Sequence, residues 1–396
     1  MNARIDADCF NTPDLRTEDD FSLPGWTYWD PEFFELERQV VFRKSWHLVC
    51  HVNDLREPGD YLTFKFLNES ILTVRGADGG VRSFHNVCRH RAARLVDGEQ
   101  GNCGKRITCP YHAWTYSTDG RLVGVPLRAS YPEMKAEDYG LAEVEQEIWR
   151  GFVFVRFAPG LPSVNDQMAP YAAELASAPL EDLVPLGPPR VQTRHVNWKN
   201  VADNYSDGLH IPVAHPGLMR IFGKSYAIEA REWVDKMSGE LVENDSPHAS
   251  ERMYQKLMHD MGLAEGAKWA YYKLWPNAAI ERYPDQIDFM QFIPVSPTET
   301  QLRYINYGVP DERREMKAAR YLNWRINRLV NLEDKELIER VQAGMASSSY
   351  TVGPLGEGEV CLRSFGRRMR ALFPEAREGA PPPKGWSINR KAPRPQ

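Results

Sequence analysis

The sequence predicts an α+β protein of two unequal parts, and three observations carry that expectation. Short β-type runs separated by turns fill residues 46–158, as in a small all-β unit. A Pro/Gly-rich connector, Ala158-Pro159-Gly160-Leu161-Pro162, then opens a longer region in which helical and strand periodicities interleave. Finally, 396 residues are many for one core, so two domains are the first expectation.

In the small unit, Tyr61–Phe66, Ser70–Arg75 and Val81–Phe84 read as strands, the last two joined by a turn at Asp78-Gly79-Gly80. Thr115–Val123 reads as a hairpin about Asp119-Gly120, and Phe152–Phe157 as the closing strand. In the larger region helices are expected over 165–178, 199–210, 249–261 and 312–344. Strands are expected over 191–197, 225–233, 270–275, 279–283, 288–294 and 301–308. No internal repeat is visible, and the Pro-rich tail 380–396 reads as poorly ordered or as a strap over a neighbour.

Composition narrows the function classes. Hydrophobic residues at 42% and charged residues at 26% are ordinary for a globular protein. A net charge of −5 argues against nucleic-acid binding, which needs concentrated positive charge. The chain contains no run of 18 apolar residues and no basic-then-apolar leader, so a cytoplasmic protein without a membrane span is expected. Six cysteines are too sparse for a disulfide scaffold, which suits a reducing compartment.

Two short segments carry chemistry, Cys88-Arg89-His90 and Cys109-Pro110-Tyr111-His112. Each offers one thiolate and one imidazole. In a Rieske [2Fe-2S] centre two Cys hold one iron and two His the other, which suits loops that each give one of both. A tetrahedral zinc site is the competitor, although common zinc fingers group the two Cys apart from the two His. Cys103, between Gly101 and Gly104, reads as a loop thiol.

A second constellation is Asp207-Gly208-Leu209-His210-Ile211-Pro212-Val213-Ala214-His215. Asp207 and His210, three apart, would share a helix face, where a carboxylate can orient an imidazole. Pro212 would end or bend that helix and bring His215 round. Two His with an acid from elsewhere would make the facial triad of a non-haem Fe(II) oxygenase. Taken alone, such a His pair is more often structural.

Together these segments resemble the α subunit of a Rieske non-haem iron oxygenase, the aromatic ring-hydroxylating oxygenase family. The resemblance lies in Asn86–Arg91, Cys109–Tyr116, Asn197-Trp198-Lys199 and Asp203–His210 with His215. It departs where the family commonly has Gly and this chain has Ala92 and Ala113, substitutions that stay small. It implies a Rieske domain over 46–158 and a helix-grip catalytic domain over 159–379, an antiparallel sheet with helices, onto which segment 1–45 packs. Cys88, His90, Cys109 and His112 would hold the cluster, and His210 and His215 the iron.

For the third ligand the resemblance points to the pair Glu333-Asp334 and favours Asp334. The residues alone leave another reading open, in which Asn331 caps a helix whose first turn is acidic for dipole reasons. Asp207 would bridge the centres, bonded to His210 and to His112 of the partner subunit, which implies a ring of subunits, a trimer.

The implied function is a terminal oxygenase using O₂ to hydroxylate a small organic substrate. An aromatic acid is favoured, as in aromatic hydrocarbon catabolism, with N-demethylation of a betaine or other quaternary ammonium compound as the alternative. An electron carrier without oxygenase activity is the reading from another class. Gly356-Glu357-Gly358 is a lone fragment and no dinucleotide fingerprint occurs, so electrons from NAD(P)H would arrive through a separate reductase, directly or through a ferredoxin. The basic stretch Arg363, Arg367, Arg368 and Arg370 reads as a solvated face, a subunit contact or a docking patch for that partner. Of Trp269, Tyr271, Tyr272, Trp275, Tyr283, Phe289 and Phe292, most should be core and some could line a pocket for an aromatic ring or a quaternary ammonium.

Overall fold

A computed structural model describes residues 17–242 and 246–389; Cys9 and the end of the Pro-rich tail lie outside the described residues. The first part holds ten strands: β1 His47–His51, β2 Asp60–Phe66, β3 Glu69–Arg75, β4 Val81–His85, β5 Gln100–Asn102, β6 Arg106–Thr108, β7 Thr115–Ser117, β8 Leu122–Gly124, β9 Glu145–Trp149 and β10 Phe152–Arg156. They form three antiparallel sheets, ordered β4-β3-β2-β5, β6-β7-β8 and β1-β10-β9. The core of the first two is Leu72, Val74, Phe84, Ile107, Trp114 and Tyr116, and both candidate cysteine ligands are buried in it. At the β7–β8 turn Gly120 has φ +87°, and a Cβ there would lie 2.5 Å from the Phe84 ring, so only glycine closes this hairpin against the sheet.

The second part is built on strands β11 Val184–Pro185, β12 Arg190–Arg194, β13 Ala227–Glu229, β14 Val234–Glu240, β15 Lys268–Leu274, β16 Ala278–Arg282, β17 Ile287–Ser296 and β18 Glu299–Gly308. They form one sheet ordered β11-β18-β17-β16-β15-β14-β13, with β12 also on β18. Helices are α1 Pro31–Val40, α2 Val164–Met168, α3 Ala172–Leu175, α4 Trp198–Ser206, α5 Ile211–Ala214, α6 Pro216–Phe222, α7 Ala249–Asp260, α8 Arg314–Met345 and α9 Val360–Leu372. Side chains alternate across this sheet. Tyr272, Ile280, Phe289 and Ile305 pack on one face against Phe152, Phe154, Met168 and Leu175. The opposite face bears Tyr271, Glu281 and Met290, and α4 lies over it with Tyr205 5.5 Å from the Phe292 ring. The β1–β10 pair joins the two parts: Val153 and Val155 meet Phe64, Phe66 and Ile71, while Phe152 and Phe154 meet the large sheet.

Four sequence expectations change here. The helix expected over 165–178 is two short helices, α2 and α3, with Pro170 between them. The helix expected over 199–210 stops at Ser206 and restarts at Ile211. Pro212 lacks the N–H that would bond back to Gly208, and glycine is a poor helix former, so the ladder breaks between them. The basic stretch is not simply a solvated face: Arg367 is exposed, yet its Nε donates to Asp19 at 2.7 Å, Arg363 pairs with Asp20, Arg370 donates to the carbonyls of Phe21 and Ser22, and Arg368 lies over Trp233 and Trp275. It ties the N-terminal segment to α9. The described tail is also ordered, with Glu32 accepting from the Gly385 and Ser387 amides and Trp386 edge-on to Trp26 at 6.2 Å. Strand β14 went unread because Asp235-Lys236 and Ser238-Gly239-Glu240 have weak strand preference, and pairing with β13 and β15 overrides it.

Candidate metal centres

The two Cys/His loops share one backbone design. Cys88 N donates to Ala93 O at 2.8 Å and Ala92 N returns to Cys88 O at 3.0 Å; Cys109 N donates to Trp114 O at 2.8 Å and Ala113 N returns to Cys109 O at 3.1 Å. Each loop turns at a left-handed residue, Ala92 with φ 54° and Ala113 with φ 55°. Alanine is strained there where glycine would not be. The loops face each other, with the His90 and His112 rings 4.6 Å apart and both thiols buried beneath them.

Their surroundings suit a cluster of mixed ligation. His90 stacks on Trp114 at 4.8 Å, and its Nδ1 is buried without a hydrogen-bond partner. A buried, unpaired imidazole nitrogen ordinarily costs stability, and an iron in front of it would satisfy it. Tyr116 OH lies 3.3 Å from Cys88 Sγ and accepts from Arg89 N at 3.1 Å. A hydroxyl at a ligand sulfur stabilises the reduced cluster and raises its potential. Cys103 donates to Gly59 O and is not part of the pair of loops.

The second group assembles from three helix ends and the middle of a fourth helix. Asp207 follows α4 in extended conformation, His210 precedes α5, and His215 lies between α5 and α6, each of which has proline in its first turn. Thus Asp207 and His210 are not on one helix face, yet His210 Nδ1 donates to Asp207 Oδ2 at 3.1 Å. His215 Nδ1 donates to Glu333 Oε2 at 2.8 Å. With both Nδ1 atoms committed to carboxylates, the two Nε2 atoms point at one place, 3.2 Å apart. Asp334 Oδ1 completes the group, 2.9 Å from His215 Nε2 and 3.5 Å from His210 Nε2.

Helix α8 supplies the acid. Its buried positions Met316, Ala319, Asn323, Ile326 and Ile338 make one stripe, and Asp334 lies one turn before Ile338 on the same face. Asn331 is no N-cap: it sits mid-helix, accepting from Tyr304 OH at 2.7 Å. The helix-dipole account of Glu333-Asp334 is therefore removed. Donor atoms about 3 Å apart are spaced as ligands of one ion bonded at about 2.0–2.2 Å are. Electrostatics agree with the geometry. Burial opposes an imidazolium at His210, but Asp207 and Asp334 outweigh it and raise its pKa to about 9. Despite burial, the same two histidines hold Asp334 down to about 2. Such a site attracts positive charge, and a divalent ion satisfies it better than protons do.

A cavity of about 80 Å³ opens beside the triad, lined by Tyr205, Tyr226, Tyr271, Glu281 and Met290 among others. Glu281 accepts from Tyr205 OH at 2.9 Å and from Tyr283 OH at 2.8 Å.

Comparisons with known proteins match both regions. A family model described as "Rieske [2Fe-2S] domain" matches residues 45–138, and one described as "Ring hydroxylating alpha subunit (catalytic domain)" matches 180–375. The carnitine monooxygenase oxygenase subunit of Escherichia coli (strain K12) is 31% identical, the alignment covering 87% of this chain and 89% of that one. The chain belongs to the Rieske oxygenase α subunits. The chloroplastic choline monooxygenase of Spinacia oleracea is 29% identical over 86% of this chain and 75% of that one. A solved quaternary ammonium Rieske monooxygenase, described with carnitine oxidation and inter-subunit electron transfer, superposes with TM-score 0.77 at 25% identity, covering 89% of this chain and 96% of that one.

As a Rieske oxygenase, the protein is an oxidoreductase with a [2Fe-2S] domain and a mononuclear-iron catalytic domain, and takes its electrons from a reductase. The reading as a carrier without oxygenase activity falls. The preference for an aromatic acid finds no support in relatives named for carnitine and choline, because the ligand motifs that suggested it are common to oxygenases of both substrate types. No helix among the described residues is long and apolar enough to cross a membrane. Sequence reasoning missed Asn204, which donates to Asp334 at 3.1 Å, and the role of Glu333. It also missed Tyr205, Tyr226 and Glu281. The available signal was Glu281 itself, an acid two residues from Tyr283 in the expected strand 279–283 and so on the same face as that aromatic.

Proposed function

We propose that this chain is the oxygenase component of a monooxygenase that oxidises a quaternary ammonium compound at a carbon bound to its nitrogen. The observation that carries the reading is the cavity beside the triad, where the phenol rings of Tyr205, Tyr226 and Tyr271 and the Glu281 carboxylate surround the space. Ring faces and a carboxylate attract a cation that cannot donate hydrogen bonds. The relatives named for carnitine, glycine betaine and choline support it.

In this reading Cys88, His90, Cys109 and His112 hold the cluster, and His210, His215 and Asp334 hold the iron. When bound, the cluster supplies single electrons and the iron supplies O₂ activation. Asp207 fixes the His210 tautomer, Glu333 fixes that of His215, and Asn204 holds the Asp334 carboxylate in place. Substrate, O₂, two electrons and two protons give the C-hydroxylated product and water. Where that carbon is an N-methyl, the hydroxymethyl ammonium loses formaldehyde and a proton, leaving the tertiary amine.

Asp207 is only partly buried, and we assign it the bridge between centres, toward His112 of the partner subunit in a ring of three. The solved relative described with inter-subunit electron transfer supports this assignment. The test is substrate-dependent O₂ uptake with a reductase, scored over quaternary ammonium compounds and aromatic acids with product analysis. Turnover confined to aromatic acids would overturn the reading. For the bridge, Asp207→Asn should keep full iron content and lose about a hundredfold in turnover; unchanged turnover would exclude it.

A further inference from the structure

Resting on the quaternary ammonium reading, we propose that Glu281 determines charge specificity, selecting a substrate that carries a single positive charge over zwitterions that also carry a carboxylate. The residue projects from β16 into the cavity beside the triad and is 6% exposed. Both its oxygens are held by tyrosine hydroxyls, so its position is fixed before any ligand arrives.

Its placement is costly for the fold. Glu281 lies directly across from Asp288 on β17, and like charges in register destabilise a sheet. Among the described residues neither carboxyl is paired with Lys or Arg; Asp288 accepts from Gln286 Nε2 at 2.9 Å. Burial raises both carboxyls, and the Glu281 charge pushes Asp288 further up, while the two tyrosine hydroxyls favour the Glu281 anion. Of the two, Glu281 is the carboxyl held as an acceptor by two hydroxyls, and among the described residues no Lys or Arg stands beside it as a counter-cation. A quaternary ammonium group beside it supplies one.

A substrate carboxylate would find no Lys or Arg in the described lining: its imidazoles are turned to Asp207 and Asp334, and its side-chain amides are engaged, Asn204 donating to Asp334, Asn327 to Asn323 and Asn331 to the Asn327 carbonyl. A second anion would instead face Glu281, the one carboxylate of the lining committed neither to the triad nor to His210. Repulsion between unscreened like charges in such a site is strong.

The experiment uses the full-length enzyme with its reductase and four probes: choline, its uncharged isostere 3,3-dimethylbutan-1-ol, glycine betaine and carnitine. Wild-type kcat/KM for choline should exceed that for each of the other three by about tenfold or more. Glu281→Gln should raise KM for choline by about tenfold while changing kcat and the KM of the isostere by less than about twofold. A wild-type enzyme that prefers carnitine or glycine betaine to choline overturns the proposal and leaves the quaternary ammonium reading intact. Equal losses for choline and its isostere in Glu281→Gln also overturn it, since the residue would then be structural. Turnover of aromatic acids alone defeats the underlying reading. Should Glu281→Gln lose the visible absorption of the cluster, and so its fold, the wild-type preference decides alone.

Discussion

The two candidate metal centres of this chain are assembled in opposite ways. The cluster donors all fall between Cys88 and His112, on two loops that repeat one hydrogen-bond pattern and hang from short antiparallel strands. The catalytic triad takes two histidines from a broken helical segment and its acid from 119 positions beyond His215, in the middle of a separate helix. The first site is therefore made by local turns. The second exists only once α8 has docked across the sheet. The imidazoles of the docked site are aimed by carboxylates, Asp207 and Glu333, one of which comes from the separate helix α8.

The sharpest separation of the two comes from removing one ligand of each. His210→Ala should lower turnover by at least about a thousandfold while the visible spectrum of the cluster is retained. Cys109→Ser should abolish both. Loss of the cluster spectrum in His210→Ala would show that the sites do not assemble independently.

A smaller effect tests how the regions are joined. His47 lies on β1, between the two cores, with its Nε2 bonded to Phe42 O at 2.7 Å, and burial lowers its pKa to about 4. An unfolded histidine binds its proton near the ordinary value of 6.5, so between pH 6.5 and about 4 the unfolded chain holds more protons than the folded one. Stability should then fall with pH across that window, by about 3 kcal/mol at its lower end. Denaturant unfolding of wild type and His47→Gln, compared at pH 7 and pH 4.5, measures the difference. Both regions should lose stability together, followed by cluster absorbance and by far-UV signal.

Glu333→Gln bears on the docked site alone. It should weaken iron binding by about ten- to a hundredfold, read by chelator competition, and leave the cluster untouched. The smallest effect belongs to the loops. Ala92→Gly and Ala113→Gly should each relieve left-handed strain and stabilise the small domain by about 1 kcal/mol or less in thermal unfolding followed at the cluster. A destabilisation would mean that the alanine methyl groups contribute packing that outweighs the strain.

The same contrast governs what could be read in advance. Strands β2, β3, β4 and β10, the Asp119-Gly120 hairpin and the large-sheet strands from β15 to β18 follow from strand-like runs and turn residues, which are local signals, whereas β1, β5, β6 and β9 went unread. The helix expected over 199–210 was one helix in the pattern and two in the structure, because Pro212 acts on a carbonyl four residues back. Arg363, Arg367 and Arg370 read as part of a solvated face, a subunit contact or a docking patch; their partners Asp19, Asp20, Phe21 and Ser22 lie some 350 positions away, about which spacing is silent.

The sequence by itself determined the chemistry on offer: mixed Cys/His loops, a His pair with an adjacent acid, and the family to which they belong. Those donors are close in the chain, and short turns leave few ways to arrange them. Only the tertiary structure decided which acid meets the histidines, what orients them, and that Glu281 stands among tyrosines beside the triad. Each of those depends on which faces of α4, α8 and the sheet are pressed together, and burial of apolar stripes over long separations sets that, not spacing along the chain.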